Sequence, residues 1–210
     1  MPISPAQFPL IIDAVAQAIA DNAASITELD QTIGDGDHVF NLQRGIEALQ
    51  AKKAEIAILD WSAAWQVIGM TVMSAVGGAS GSLYATLFIS LAKHTRDQPA
   101  DVTHFVQAFQ QAVEAVKQRG KADVGEKTLL DVLVPVAISL HQSAEAGKAL
   151  ADLLDEVCCA ADAGVESTRD MLATKGRASF LGERSKGHID AGAKTAQLML
   201  EAIASVLRGG

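Results

Sequence analysis

The stretch WSAAWQVIGMTVMSAVGGASGSLYATLFISLA, residues 61–92, contains no Asp, Glu, Lys or Arg. A charge-free stretch of this length raises the question of a membrane span. It is too long for one simple span, however, is diluted by Ser, Thr, Gln and Gly, and is interrupted by VGGASGS at residues 76–82. Glycines between two apolar periodic segments are typical of a turn. The stretch therefore predicts two buried helices that meet at a glycine-rich turn.

Helical spacing of apolar residues continues on both sides of this stretch. About eight segments show it, and they cover residues 5–20, 39–51, 61–76, 82–93, 102–117, 127–141, 149–174 and 193–207. Hydrophobic residues make up 49% of the chain and aromatic residues only 4%, a composition that favours close-packed helices over a β-sandwich core. A chain of 210 residues can bury one sizeable core. We therefore expect a single all-α domain over residues 1–210.

Charge and cysteine content exclude several classes of protein. The net charge of −8 and the pI of about 5.0 oppose binding to nucleic acid. Cys158 and Cys159 are adjacent in a predicted helix, where their side chains diverge and cannot readily form a disulfide. The N-terminus lacks the basic start of a signal peptide. We therefore expect a cytoplasmic protein that binds neither nucleic acid nor a membrane.

Acidic residues and glycines are concentrated in GDGDHVFN, residues 34–41, where Asp35 and Asp37 alternate with glycines and Asp30 precedes them. Mg²⁺ prefers carboxylate oxygens, and glycine allows the backbone to turn tightly so that the carboxylates converge. The simpler alternative is a solvated turn in which Asp37 caps the following helix. Three aspartates interleaved with glycines favour a metal site.

An EF-hand does not fit this segment. A calcium loop that began at Asp35 would need ligands or glycine where the chain has Val39, Phe40 and Ile46. His38 and Asn41 lie three residues apart and so share one face of the following helix. They are placed to reach whatever the metal holds, although a lone histidine is more often simply packed or solvated.

The motif VGGASG, residues 76–81, indicates a second element of the site. Backbone amides at a helix start attract phosphate oxygens through unpaired N–H groups and the helix dipole, and Ser80 and Ser82 are candidate caps. The motif has neither a Walker A lysine nor Rossmann spacing. A plain glycine-rich connection between two helices is the alternative interpretation.

The motif KGRASFLGERSKGHIDAG, residues 175–192, is a long connection rich in cations, among them Arg177. Such a segment could close over an anionic ligand, and an ordinary solvated loop has the same composition. Asp190 is the expected N-cap of the last helix. The chemistry of a further motif, RGK followed by GEKTLLD at residues 125–131, is not evident from its residue types.

In order and spacing these motifs resemble the ADP-binding L subunits of bacterial dihydroxyacetone kinases, over nearly the whole chain. The resemblance implies a barrel of eight antiparallel helices with the nucleotide at one end. It implies that Asp30, Asp35 and Asp37 coordinate two Mg²⁺ ions that bridge the nucleotide phosphates. Further nucleotide contacts are implied for His38, Asn41, Ala79, Ser80, Gly120, Leu129, Arg177, Asp190 and Gly192. No further catalytic residue is implied.

Two positions depart from the family pattern. Ala191 stands where the family commonly has proline, which affects the rigidity of residues 176–192 rather than their chemistry. Leu129 stands where methionine can occur, and both residues can pack beside adenine.

The resemblance also implies a function. ADP would stay bound as a cofactor, accept a phosphoryl group from a phosphohistidine on the M subunit of a phosphotransferase system, and pass it as ATP to dihydroxyacetone on the K subunit. One alternative is an ATP-dependent two-component kinase for another small ketose, in which the nucleotide exchanges. An alternative of another class is a non-catalytic helical scaffold whose acidic loop binds Ca²⁺ or nothing. The motifs do not indicate whether copies of this chain associate with one another.

Overall fold

The computed structural model describes residues 4–209, which are helical and contain no β-strand. The α-helices are α1 (Phe8–Asp21), α2 (Ala23–Ile33), α3 (His38–Ile56), α4 (Trp61–Ala75), α5 (Gly78–His94), α6 (Val102–Gly120), α7 (Leu130–Glu145), α8 (Leu150–Ser167) and α9 (Ala191–Gly209). Short 3₁₀ helices cover Pro5–Gln7, Thr168–Asp170 and Arg177–Ser185. The expected all-α class is confirmed.

Eight of these helices form a closed ring. From α3 to α9 each helix packs on the next one along the chain, and α1 closes the ring between α9 and α3. Neighbouring helices are antiparallel. For example, the Ser62 hydroxyl near the start of α4 donates to the Ala92 carbonyl near the end of α5. The expected single-domain, antiparallel eight-helix barrel is therefore confirmed.

A ninth helix, α2, lies outside this ring against α9 and α3. It was not among the eight predicted segments, because it follows α1 after one residue and its outer face is polar. Ile26 and Ile33 are buried on its inner face, and Leu29 lies between them at helical spacing. This short apolar pattern is the signal that the helix prediction missed.

Several predicted boundaries were wrong where glycines or the site intervene. The fifth helix begins at Gly78 rather than residue 82, so Ser80 and Ser82 lie inside the helix and do not cap it. Helix α7 begins at Leu130 rather than residue 127, since Lys127 has a left-handed φ of +61°. Residues 177–185, expected to be a plain loop, form 3₁₀ turns.

The interior of the barrel is apolar. Phe8, Trp65, Phe88 and Phe105 form an aromatic cluster with ring centroids 4.7–6.4 Å apart, and the interior encloses a cavity of about 220 Å³. The charge-free residues 61–92, which form α4 and most of α5, contribute buried residues to this core, as their composition predicted. Within residues 4–209, no helix combines the length and the apolar character that a membrane span requires.

Candidate nucleotide and metal site

The up-and-down order of the barrel brings the predicted site segments to one end. Helices α3, α5, α7 and α9 begin at this end, and α4, α6 and α8 finish there, because neighbours alternate in direction. Four helix N-termini therefore surround the same opening, which we call the site end. The partial positive charges of helix starts favour anions, so this end of the barrel suits phosphate groups.

The three predicted metal ligands converge at the site end. Asp30 lies in the last turn of α2, and Asp35 and Asp37 lie in the connection to α3. One carboxylate oxygen from each of the three lies within 4.8 Å of the others. Gly34 makes this approach possible, because a Cβ atom there would lie 2.1 Å from Asp30 Oδ1. A cluster of three carboxylates fits the oxygen ligands that Mg²⁺ requires.

The start of α3 differs from the expected cap. Asp37 is at the N-cap position, as predicted, but its side chain makes no capping hydrogen bond. Instead, Asp30 Oδ2 accepts the hydrogen bond of the His38 amide at 3.1 Å. The Asp37 carboxylate thus remains available to a cation.

Arg177 lies against the aspartate cluster. Its Nε donates to Asp35 Oδ2 at 3.0 Å, and both side chains are well exposed, at 72% and 43%. The cation-rich segment therefore reaches over the acidic connection between α2 and α3, as expected for a segment that covers a ligand. No other basic side chain within residues 4–209 forms an ion pair with these three aspartates.

His38 contacts α9. Its Nε2 lies 3.0 Å from Thr195 Oγ1, and the Thr195 hydroxyl itself donates to the Gly192 carbonyl at 3.0 Å. Nε2 therefore donates, and Nδ1 of the neutral ring is the free acceptor. Burial lowers the pKa of His38 below its ordinary value, although the charges of the neighbouring aspartates oppose this shift. Burial thus favours the neutral ring.

The glycine motif places the start of α5 beside α3. A Cβ atom on Gly77 would lie 2.5 Å from Asn41 Oδ1, so Asn41 packs directly on this turn. Gly78 has a φ of +68°, a conformation that favours glycine. No side chain caps this helix start. The first-turn residues Ala79 and Ser80 thus lie at an uncapped N-terminus, which suits phosphate oxygens.

The remaining predicted residues lie at the starts of α7 and α9 and at the end of α6. Asp190 caps α9 as predicted, because its Oδ2 accepts from the Ala193 amide at 2.7 Å, and burial raises the pKa of Asp190 to about 6. A Cβ atom on Gly192 would lie 3.8 Å from the Leu129 nitrogen, so these two residues adjoin. Gly120 ends α6 near Leu83 of α5 rather than near these residues.

Sequence reasoning missed four polar side chains that are buried at this end, namely Tyr84, Lys127, Thr168 and Thr195. Burial raises the pKa of Tyr84 to about 12. Thr168 Oγ1 accepts from the Asp190 amide at 3.0 Å. Thr195 lies five residues after Asp190, near the start of α9, and could have been found there. Nothing in the sequence marks Lys127 as buried.

One opening of this helical barrel carries a carboxylate cluster, uncapped helix starts and an arginine. Such an arrangement is typical of a protein that binds a metal ion and an anion together. The particular family follows from comparison with known proteins. The DAK2 domain family matches residues 32–205, and the chain belongs to this family.

Relatives with curated names support this membership. The chain is 39% identical over 187 residues to the "PEP-dependent dihydroxyacetone kinase 1, ADP-binding subunit DhaL" of Listeria innocua. The aligned residues cover 89% of each of the two chains. It is 42% identical over 180 residues to the "PEP-dependent dihydroxyacetone kinase, ADP-binding subunit DhaL" of Escherichia coli, covering 85% of this chain and 86% of that protein. The resemblance inferred from the motifs is confirmed at the level of the family.

Solved structures share the fold. The crystal structure of the dihydroxyacetone kinase from C. freundii in complex with AMP-PNP and Mg²⁺ matches with a TM-score of 0.74 and 23% identity. The match covers 98% of this chain and 34% of the C. freundii chain, so the barrel described above corresponds to about a third of that enzyme.

Proposed function

We propose that this chain is the nucleotide-binding subunit of a dihydroxyacetone kinase and keeps ADP bound with Mg²⁺ at the site end. The observation that carries the proposal is the convergence of Asp30, Asp35 and Asp37 within 4.8 Å at an opening surrounded by four helix starts. The names of the relatives support it, since several are called ADP-binding subunits of this kinase.

The three aspartates are the proposed ligands of two Mg²⁺ ions. Bound Mg²⁺ would neutralise phosphate charge and so favour phosphoryl transfer. The chain's own contribution is to position the nucleotide. The uncapped start of α5, with Ala79 and Ser80, offers amides to phosphate oxygens, and Arg177 adds an exposed positive charge. The adenine side of the nucleotide is expected beside Leu129.

The polar groups around α9 would hold the rest of the nucleotide. His38 and Asn41 lie in the first turn of α3, where His38 contacts Thr195 of α9, and Asp190 and Gly192 lie at the start of α9 itself. His38 is neutral, so its free Nδ1 can accept a hydrogen bond from the ligand. Gly120 completes the proposed set at the end of α6. No side chain here is assigned as a general base, because dihydroxyacetone is expected on the K subunit.

In this proposal the nucleotide cycles between ADP and ATP without leaving the chain. A phosphohistidine on the M subunit supplies the phosphoryl group, and dihydroxyacetone on the K subunit receives it. Positioning and charge neutralisation are what phosphoryl transfer requires of a protein. A donor and an acceptor of this kind are expected in the cytoplasm, so we expect this chain there as well.

Mass spectrometry of the purified protein under native conditions tests the proposal directly. We expect bound ADP and Mg²⁺ in the wild type and neither in Asp35→Asn/Asp37→Asn. The matched control is Asp152→Asn/Asp155→Asn, which changes charge equally at the other end of the barrel, where both residues are exposed on α8. Retention of nucleotide by the site variant, or its loss from the control, would contradict the proposal.

A second experiment tests the partners. Phosphoryl transfer from phosphoenolpyruvate to dihydroxyacetone is measured in a reconstituted system with K and M subunits, with and without this chain. We expect transfer only with the chain, and release of radiolabelled ADP far slower than turnover. Ready exchange of the label with free ATP would instead favour an ATP-dependent kinase.

A further inference from the structure

Lys127 is the largest of the fully buried side chains in the described part of the chain, with 1% of its surface exposed. It belongs to the GEKTLLD motif, whose chemistry the sequence did not reveal. A buried lysine is rare because desolvation disfavours its charge. Burial accordingly lowers the pKa of Lys127, although the surrounding charges of Asp190, Asp131 and Asp170 oppose this shift.

The ammonium group of Lys127 is bound by backbone carbonyls. Nζ donates to the Thr168 carbonyl at 2.5 Å, to the His188 carbonyl, and more weakly to the Arg169 carbonyl at 3.4 Å. No carboxylate within residues 4–209 lies within ion-pair distance of Nζ. Three carbonyl acceptors require three N–H donors, which an ammonium has and a neutral amine lacks. The three contacts together therefore favour the protonated form.

These three carbonyls belong to two segments that meet between the end of α8 and the start of α9. Thr168 and Arg169 follow the end of α8, and His188 lies just before Asp190 and the start of α9. Two other bonds strengthen the same junction: the Gly187 amide donates to the Arg169 carbonyl at 2.8 Å, and the Asp190 amide donates to Thr168 Oγ1. Lys127 joins this junction to the connection between α6 and α7.

The backbone at Lys127 is strained in a way that serves this arrangement. Its φ of +61° is unfavourable for a side chain other than glycine. The following turn is fixed by Asp131, whose two carboxylate oxygens accept from the amides of Gly125 at 2.6 Å and Thr128 at 2.7 Å. The strained turn directs the side chain inward and places Leu129 two residues further along, beside Gly192.

We propose that Lys127 is a positioning residue for the bound nucleotide, whose ammonium clamps the wall that carries Leu129 to the wall that carries Asp190 and Gly192. The inference rests on the proposed function, because it assumes that the nucleotide lies against these two adjoining walls. It explains the GEKTLLD motif, in which Lys127 forms the clamp and Asp131 fixes the turn that presents it.

Binding of ADP at fixed Mg²⁺ concentration tests the clamp in three proteins: wild type, Lys127→Met and Lys121→Met. Lys121 is the matched control, because it also has a left-handed φ, of +48°, in the same connection but is exposed. We expect Lys127→Met to weaken ADP binding about 30-fold, as three buried carbonyls lose their donor, and Lys121→Met to bind within about threefold of wild type. Equal affinities in the two variants would overturn the inference.

Two readouts separate positioning from general loss of structure. Binding of Mn²⁺ to the aspartate cluster, followed by electron paramagnetic resonance, should be unchanged in Lys127→Met. In Lys127→Ala, methylammonium should restore part of the ADP affinity, whereas tetramethylammonium at equal concentration should not, because it has the charge but no N–H donor. Equal effects of the two cations, or loss of Mn²⁺ binding, would argue against a positioning role.

A measurement on the wild type avoids the risk that a variant fails to fold. The Lys127 ammonium should give a slowly exchanging ¹H–¹⁵N side-chain signal at neutral pH that shifts when Mg²⁺ and ADP are added. Absence of the signal, or a signal that ADP leaves unmoved, would overturn the inference. If the wild type binds no ADP at all in the titration above, the proposed function fails instead, so the two failures are distinguishable.

Discussion

The helix starts at the two ends of the barrel differ in their side-chain caps. At the end away from the site, α4 and α6 begin at Asp60 and Asp101, whose side chains accept from the amides three residues on at 2.8 and 2.9 Å. At the site end, α3, α5 and α7 begin after Asp37, Gly77 and Leu129, and none of these residues makes a side-chain cap. The N-cap residues of α1 and α8, which also begin at the far end, make no side-chain cap, so two of the four starts there are capped by their N-cap side chains, against one of the four, that of α9, at the site end.

This difference has an energetic consequence. A good N-cap stabilises a helix by about 1 kcal/mol, so the uncapped starts at the site end give up stability that the sequence could have supplied. Of the N-cap side chains at this end only that of Asp190, whose pKa is raised to about 6, caps its own helix, while Asp30 Oδ2 and Thr128 Oγ1 accept from the first amides of α3 and α7. We infer that the site end is completed by bound Mg²⁺ and nucleotide, which contribute stability when they bind.

The tightest contact with a backbone atom at the site end gives the largest expected effect. A Cβ atom on Gly81 would lie 2.1 Å from the Val76 carbonyl oxygen, so Gly81→Ala must displace the start of α5. We expect the free energy of unfolding to fall by about 3 kcal/mol and ADP retention to be lost. Urea unfolding of the nucleotide-free protein measures the first, and native mass spectrometry measures the second.

Gly147, in the connection between α7 and α8 at the other end, is the control for this substitution. It has a φ of +64°, and a Cβ atom there would meet nothing within 4 Å. Gly147→Ala should therefore cost only the backbone strain, about 1 kcal/mol, and retain ADP. A larger loss from Gly147→Ala than from Gly81→Ala would contradict the contrast between the ends.

The Asp190 carboxyl predicts a pH dependence that is specific to the site end. Its pKa is raised from 3.8 to about 6, so the folded protein binds a proton between these values that the unfolded chain releases. The free energy of unfolding should therefore fall by about 2 kcal/mol as the pH rises from 4 to 6. Chemical unfolding without Mg²⁺ or nucleotide, compared with Asp190→Asn, isolates this contribution. Parallel pH profiles of the two proteins would rule it out.

The helices and the core were largely predictable from the sequence, because apolar spacing and the charge-free residues 61–92 report burial directly. The acidic part of the site was predictable for a related reason. Asp30, Asp35 and Asp37 lie within eight residues and converge through a local glycine turn, so their meeting needs no knowledge of distant contacts. The family resemblance then connected them with the glycine motif and Arg177.

The buried polar groups were not predictable in this way. Lys127 contacts residues 168 and 188, which are 41 and 61 positions away along the chain, and an exposed lysine looks the same in the sequence. The role of Asp30 at the start of α3 was likewise not predicted, since Asp30 reaches the His38 amide across the turn. The start of α5 was predicted too late because its glycines resemble turn signals. The start of α7 was predicted too early because the left-handed backbone of Lys127 is not visible in the sequence.

Replacing aspartate by alanine at one N-cap position of each end tests the comparison between the two ends of the barrel. Asp60→Ala removes a real cap and should lower the free energy of unfolding by about 1 kcal/mol while leaving ADP bound. Asp37→Ala removes no capping hydrogen bond and relieves repulsion among three carboxylates, so it should not destabilise the nucleotide-free protein but should release the nucleotide. Thermal unfolding and native mass spectrometry measure both. A destabilised Asp37→Ala variant that keeps its ADP would reverse the assignment of roles.

The smallest expected change in stability belongs to the exposed ion pair between Arg177 and Asp35. Exposed pairs contribute little because water and salt screen them, so Arg177→Ala should alter the unfolding free energy by no more than about 0.5 kcal/mol. Arg208→Ala, which removes an exposed pair with Asp155 on the ring surface, should change it equally little. The two variants should nevertheless separate in nucleotide release, which we expect to be about tenfold faster in Arg177→Ala alone, since only that arginine can pair with a phosphate. Equal release rates from the two variants would show that the segment around Arg177 covers the opening without holding the nucleotide.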